Sequence, residues 1–367
     1  MQEYKVIGIM SGTSLDGVDL AYCYFSKDDA DWKFEIRNAV TVGYSQEWKE
    51  KLSILHLKEA ITFAKTNAEY GNFIGGLVKE FTDRNKLSVN FVSSHGHTIF
   101  HQPQNKFTSQ IGDGAALSAA SGFSVVCDFR SKDVALGGQG APLVPIGDKI
   151  LFSEYDFCLN LGGIANITSS VASPPAPLQE KRGEGIIAFD VCPCNLVLNY
   201  LSSQLGKEYD EDGKFARQGN VNESLLKQLN NLSYYTKSFP KSLGREDIEK
   251  DFLPLINSFD ASTEDKLRTF CEHIATQISK VVVGSGQRPT ANCQLLSTGG
   301  GTFNQFLISR IKQLTNAQLI IPDKKIINYK EALIFAFLGV LRWRGEVNCL
   351  KSVTGASMDN IGGAVYL

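Results

Sequence analysis

Seven consecutive residues, Ser11-Gly12-Thr13-Ser14-Leu15-Asp16-Gly17, bring three hydroxyls, two glycines and a carboxylate into one short turn between apolar runs. Glycines let a backbone turn sharply and present N–H donors, and the hydroxyls can donate to phosphate oxygens. Asp16 or Asp19 can hold Mg²⁺ through water, because that ion favours one or two carboxylates together with substrate phosphates. A hairpin turn ending in Asp-Gly is the plainer account. Three hydroxyls in one hairpin tilt the reading towards an anion site.

A second glycine cluster, Thr298-Gly299-Gly300-Gly301, follows an apolar strand and precedes a helical pattern. A nucleotide can meet exposed N–H groups at such a helix start, and close backbone packing explains the glycines equally well. No Gly-x-x-x-x-Gly-Lys-Ser/Thr occurs, which excludes a Walker P-loop, and Gln287-Arg288-Pro289 after Gly284-Ser285-Gly286 breaks any dinucleotide fingerprint.

Other chemistry is scattered along the chain. Asp190 stands just past an apolar strand, where α/β proteins place catalytic groups; a general base and a cap on the next helix are the two readings. Arg130, Asp133 and Gln139 flank a Gly/Pro loop and offer the fork, acceptor and amide that a hydroxyl-rich ligand needs. Glu331 lies in a helical run beside Ala332, Leu333 and Ile334, so it is at a polar rim or bonded to a ligand. His95-Gly96-His97 is the rival signal, since a His-x-His pair after a strand opens the metal site of several hydrolases. With five histidines in the chain, and no further one at a clear strand end, polar or hydrogen-bonding histidines are the plainer reading.

The elements that must position these groups repeat one grammar. Apolar runs at 4–10, 18–25 and 34–42 form a β-meander, a helical pattern covers 46–86, and a buried strand at 90–94 runs into His95. Strands at 157–161 and 164–168 flank Gly162-Gly163. A Ser/Pro-rich insert at 169–185 reads as an exposed loop. A strand at 185–189, a helix at 195–201, a strand at 293–297 and a helix at 303–314 follow. The repetition predicts an old internal duplication and an α/β chain of two related domains with ligands held in the cleft between them. At 367 residues, two domains are also what length allows. A balance of 37 Lys+Arg against 39 Asp+Glu argues against nucleic acid and anionic lipid as partners. No apolar stretch reaches the roughly 18 residues a membrane span needs. Eight dispersed cysteines predict buried thiols of a reducing compartment rather than a disulfide framework. With no signal peptide recognisable, the cytoplasm is the expected location.

Together the motifs resemble the anhydro-N-acetylmuramic acid kinase family of the sugar kinase/actin superfamily. They are the run from Ile9 through Ser11 and Asp16 to Asp19; Ser94-His95-Gly96-His97-Thr98 with His101-Gln102-Pro103; Gln110-Ile111-Gly112-Asp113-Gly114; and 128–148. After these come Leu159-Asn160-Leu161-Gly162-Gly163-Ile164-Ala165-Asn166-Ile167, Phe189-Asp190, Gly299-Gly300-Gly301 with Asn304, and Lys330-Glu331-Ala332. The resemblance implies two actin-like (RNase H-like) domains, each a mixed sheet with flanking helices, here expected at 1–125 plus 342–367 and at 126–341, with the active site in the cleft. It implies an ATP- and Mg²⁺-dependent kinase that opens 1,6-anhydro-N-acetylmuramic acid with water and phosphorylates O6 during cell-wall recycling, working as a homodimer. By motif position Gly12, Thr13, Ser14, Leu15, Asp16, Gly17, Val18 and Asp19 hold the ATP phosphates, Gly162 and Gly163 form a second phosphate turn, and Gly299, Gly300 and Gly301 with Asn304 lie by the nucleotide. Asp190 is the base for water; His97, Arg130, Asp133, Gln139 and Glu331 are expected sugar contacts. No resident metal site is expected.

Two positions depart from the family pattern. Val191-Cys192-Pro193-Cys194-Asn195 replaces the usual Thr-Gly-Pro after the aspartate, and His97 stands where relatives often carry Gln. A sugar sensor without turnover and a His-x-His hydrolase are the alternative readings.

Overall fold

The computed structural model describes residues 2–12, 15–28, 31–169, 186–237, 241–283 and 293–367. β1 (Gln2–Met10), β2 (Gly17–Asp28) and β3 (Asp31–Gly43) form the antiparallel meander, with Met10 opposite Asp19. β4 (Phe91–Ser94) joins β1 in parallel and β7 (Val125–Cys127) joins β4 in parallel. Between them β5 (His97–Gln102) and β6 (Phe107–Ile111) make a separate antiparallel ribbon. In the second half β8 (Phe157–Leu161), β9 (Ile164–Ser169) and β10 (Ile187–Pro193) are antiparallel, and β11 (Gln294–Thr298) and β12 (Gln318–Ile320) continue from β8 in parallel. The strand orders β3-β2-β1-β4-β7 and β10-β9-β8-β11-β12 are the same order with the same directions, the RNase H-like arrangement. β13 (Ala364–Tyr366) extends only the first sheet, antiparallel to β7.

The chain divides into two compact units, Met1–Leu151 with Tyr329–Leu367, and Phe152–Asn328. These divisions differ from the boundaries expected at 125/126 and 341/342. The reason is structural: β7 belongs to the first sheet, and residues from Tyr329 onward pack on β1. Gly8 allows that approach, since a Cβ there would lie 2.0 Å from the Ala332 carbonyl oxygen. Phe337 lies against Phe25 and Trp32 on the same face, and Trp343 stacks on Phe91. The opposite face of the first sheet buries Ile7, Ile9, Val18 and Leu20 against Tyr70, Ile74 and Val78 of the helix Ala60–Asn85. Central strands covered on both sides read as unbroken apolar runs, which is why β1 showed no alternation.

In the second unit the helix Thr263–Val283 buries Leu267, Phe270, Ile274 and Ile278 with Leu159, Leu161, Ile167 and Phe189 of the sheet. The helical pattern at 46–86 is two helices, Gln46–Ile54 and Ala60–Asn85, joined through a short 3₁₀ turn. All eight cysteines are buried thiols outside any disulfide. Among the described residues no helix is long and apolar enough to cross a membrane. Of the expected insert, 170–185 lies outside the described residues, as do Thr13, Ser14 and 284–292.

Candidate active site

Asp190 lies within β10 rather than past its end, at a bulge where pairing with β9 shifts between Asp190 and Cys192. A bulge re-aims a side chain out of the regular pleat. Three bonds from a segment 44 to 53 residues downstream hold it. Its N–H donates to the Lys241 carbonyl at 3.3 Å, its carbonyl accepts from the Tyr234 hydroxyl, and Oδ2 accepts the Leu243 N–H at 2.9 Å. Burial pushes the carboxyl up from 3.8 to about 6, with the Leu243 N–H pulling against it. The helix-cap reading is set aside, because the next helix, Asn195–Ser203, starts from Cys194 and makes no bond to Asp190. The Val191-Cys192-Pro193-Cys194 departure is buried; Cys192 and Pro193 continue β10 opposite Ala165 and Ile164.

The glycine turns of the second unit converge. Gly162 and Gly163 link β8 to β9, and their carbonyls accept from Asn195 N–H and from Cys194 and Leu196 N–H. The helix Asn195–Ser203 is thereby strapped to the turn, whose remaining polar atoms are N–H groups. The Asn195 side chain donates to the Leu161 carbonyl at 2.9 Å and stands beside Gly301. Gly299 has φ +81° and ψ 164°, a conformation open essentially to glycine alone. A Cβ on it would lie 2.3 Å from Asn160 Oδ1 and 2.9 Å from the Leu161 backbone. Its N–H already donates to the Ile327 carbonyl. Packing therefore accounts for Gly299 and Gly301, and Gly300 is the exposed member of the trio. Asn304 is corrected in part: Oδ1 caps the helix Gln305–Thr315 by accepting from Leu307 N–H at 3.0 Å. The sequence analysis missed Asn160 and Asn195. Asn160 stands two residues before Gly162-Gly163, a local signal, whereas Asn195 has no glycine near it in sequence and meets the turns only through the fold.

In the first unit the turn between β1 and β2 presents its residues unequally. The Ser11 hydroxyl, read as a phosphate donor, is instead turned inward among Tyr44, Tyr70 and His97. Val18 is fully buried in the core, so its side chain faces no ligand. Leu15 has φ +60° and packs on the same core. Gly17 runs against β3, with Val42 O 2.4 Å from where a Cβ would be. Asp16 is exposed. Asp19 Oδ1 accepts the Thr41 hydroxyl at 2.6 Å, and burial together with the neighbouring Asp16 charge raises its carboxyl, Thr41 opposing. Two acidic groups with no protein cation bonded to them among the described residues suit a hydrated cation.

The expected sugar contacts fall into two groups. His95 is buried, and burial followed by the Arg130 charge holds its imidazole well below 6.5. Its Nδ1 faces the Gly96 carbonyl at 2.9 Å, while Nε2 takes Arg130 Nε at 3.0 Å and Nη2 at 2.8 Å. Arg130 Nη1 donates to the Gly140 carbonyl at 2.6 Å. Three of the five guanidinium N–H bonds are so engaged, leaving two for a ligand. Burial lowers Arg130 to about 10, opposed first by Glu331, so it stays charged at neutral pH. Next to Glu331, Lys330 makes a buried ion pair with Asp148 at 2.6 Å. Arg130 and Glu331 are thus brought together on a rigid support.

Asp133 is not a sugar contact. Fully buried, its carboxylate accepts from Gly140 N–H, Cys349 Sγ, the Thr354 hydroxyl and Asn360 Nδ2 at 2.8–3.0 Å. Four donors saturate it, and its work is to tie the Gly/Pro loop to the C-terminal segment. Gln139 is anchored by its N–H to the Thr354 carbonyl, with its side chain exposed. The His-x-His metal reading fails on bonds: the ring nitrogen of His95 that a metal needs is taken by a guanidinium. His273 is likewise engaged through both nitrogens, by Tyr235 and Asn230.

Residues 4–367 match the family model described as anhydro-N-acetylmuramic acid kinase. A protein of that name from Vibrio vulnificus (strain CMCP6) is 34% identical over 378 residues, covering 98% of this chain and 97% of its own length. Another of that name, from Sulfurovum sp. (strain NBC37-1), is 34% identical over 381 residues and covers both chains fully. Among solved structures, a ligand-bound xylulose kinase from Lactobacillus acidophilus aligns over 93% of this chain and 90% of its own, at 10% identity and a TM-score of 0.46.

Proposed function

The chain belongs to the anhydro-N-acetylmuramic acid kinase family, and from that premise we propose how its own residues carry the reaction. The protein is an ATP-using kinase whose substrate is 1,6-anhydro-N-acetylmuramic acid and whose product is N-acetylmuramic acid 6-phosphate. In the reading proposed here a water oxygen bonds to the anomeric carbon and the C1–O6 bond breaks. The freed O6 attacks the γ-phosphorus, and the bond to the bridging oxygen of ADP breaks. Asp190 takes the proton lost by the water and returns it to solvent.

One observation carries the role of Asp190: a residue held at three points, one of them on its carboxylate, at a bulge, with burial raising that carboxyl to about 6. Ionised at neutral pH yet more basic than a free carboxylate, it suits proton abstraction. Arg130 and Glu331 are assigned to the sugar, Arg130 with two free N–H bonds and an orientation set by His95. The N–H groups of Gly162 and Gly163 and the turn at Gly12 are assigned to phosphate, and exposed Gly300 to the nucleotide side. Mg²⁺ supplies charge neutralisation at the β- and γ-phosphates when bound. Asp16 and Asp19 would hold it through water. The fit is that Asp19 has one oxygen on Thr41 and a second without a partner among the described residues. The reading places the protein in the cytoplasm, where ATP is supplied, as the homodimer the family resemblance implies.

The test is the pH profile of kcat/KM for the sugar. An essential base near 6 predicts a rate level above pH 7 that falls about tenfold per pH unit well below 6. A profile flat down to pH 4.5, with the protein still folded, removes Asp190 as the base.

A further inference from the structure

Four buried side chains from four separate stretches of the chain meet in the first unit. Ser11 follows β1, Tyr44 follows β3, Tyr70 is on the helix Ala60–Asn85, and His97 opens β5. Ser11 Oγ is 2.8 Å from the Tyr44 hydroxyl, 2.7 Å from the Tyr70 hydroxyl and 2.9 Å from His97 Nδ1; the two tyrosine hydroxyls also bond to each other. Counting protons decides how these bonds run. Four contacts need four protons, and three hydroxyls supply three. If His97 carried its proton on Nε2, one of the four contacts, between two oxygens or between Ser11 Oγ and Nδ1, would have no hydrogen in it. With the proton on Nδ1, the three hydroxyls donate around a closed ring and Ser11 accepts a second bond from the imidazole. Every contact is then satisfied, which buried polar groups require.

We infer that the Ser11–Tyr44–Tyr70 ring locks His97 as its Nδ1–H tautomer, so that Nε2 is presented as a hydrogen-bond acceptor to a hydroxyl or amide N–H of the sugar. The second half rests on the proposed function and on His97 being the sugar contact that the family resemblance implies. Among the described residues Nε2 makes no hydrogen bond. Burial lowers His97 to about 4, so the ring is neutral and has one acceptor nitrogen to give. Tyr44 and Tyr70 thus act as positioning residues. They join the start of the Ser11–Gly17 turn to a ring that reads a ligand donor. A neutral histidine offers one acceptor nitrogen, and the ring decides which of the two it is.

The tautomer is read directly by long-range ¹H–¹⁵N spectra of the full-length protein labelled in its histidines, without ligand, with His97→Gln to assign the resonance. A pyrrole-type Nδ1 and a pyridine-type Nε2 are expected. Tyr70→Phe leaves two contacts that either tautomer satisfies, so its ¹⁵N shifts should move towards an average. A wild-type Nε2–H form, or a Tyr70→Phe spectrum identical to wild type, overturns the lock. Kinetics tests the use of the acceptor: Tyr70→Phe should raise the sugar KM about tenfold, as a mismatched buried hydrogen bond does. In the His97→Gln background the same change should add little. Additive effects overturn positioning through the tautomer, and an unaltered sugar KM in His97→Ala overturns the sugar contact while leaving the spectroscopic result to stand or fall alone.

Discussion

Asp190→Asn should lower turnover by about 10³-fold, within the range a positioned general base contributes, and at the same time make the protein more stable at neutral pH. The second half follows from the elevated carboxyl. Its folded value, about 6, lies above its ordinary 3.8, so the native state binds this proton more tightly than the unfolded chain does. Native stability contributed by this group is therefore greatest at low pH and falls as pH rises through 4 to 6. Above pH 6 the native state carries a cost on the order of 3 kcal/mol for keeping the group ionised. Asparagine removes that cost and still offers Oδ1 to the Leu243 N–H. Urea titrations of both proteins should show the variant more stable at pH 7.5 and the gap closing towards pH 4. A variant less stable than wild type at pH 7.5 would mean that the ionised carboxylate supports the fold, and the account of a base strained for catalysis would fail.

The second large effect concerns the glycine trio after β11. Gly299→Ala forces φ +81° on an alanine and drives a Cβ to 2.3 Å from Asn160 Oδ1 and 2.9 Å from the Leu161 carbonyl. Strain and overpacking against backbone together should cost roughly 3–5 kcal/mol, enough to leave the second unit largely unfolded at 37 °C. Gly300→Ala meets only Asn195 Nδ2, at 3.6 Å, and should fold like wild type while raising the KM for ATP. Denaturation midpoints and ATP titrations of the two variants separate the roles. Equal stability of Gly299→Ala and wild type would show that β8 and β11 do not depend on this close approach.

Much of this architecture was legible in the chain. β8 and the helix start at Asn195 fell where the apolar runs and turns put them, and β1–β3 extend the predicted meander by a few residues at most ends. The repeated strand–Gly pattern correctly pointed to two sheets of one topology. What escaped is what depends on partners distant in sequence. The environment of Asp190 comes from Tyr234, Lys241 and Leu243, and no local pattern around position 190 announces them. Asp133 looked like a loop acceptor because its four donors, Gly140, Cys349, Thr354 and Asn360, arrive mostly from more than 200 residues away. Ser11 looked like a phosphate ligand by composition; only the tertiary placement of Tyr44, Tyr70 and His97 turns it inward. The unit boundary was misplaced for a similar reason. The helix Lys324–Arg344 reads as one continuous element, yet from Tyr329 its residues pack on β1, and periodicity carries no information on which sheet a helix covers.

The central claim is that one catalyst both opens the anhydro ring with water and phosphorylates the oxygen so released. It is tested most directly by incubating the protein with 1,6-anhydro-N-acetylmuramic acid and Mg-ATP in ¹⁸O-labelled water and weighing the product at early times. The account predicts N-acetylmuramic acid 6-phosphate carrying one ¹⁸O at the anomeric position, formed in step with ADP. ADP release with the sugar unchanged, or a phosphorylated sugar without the label, would contradict it.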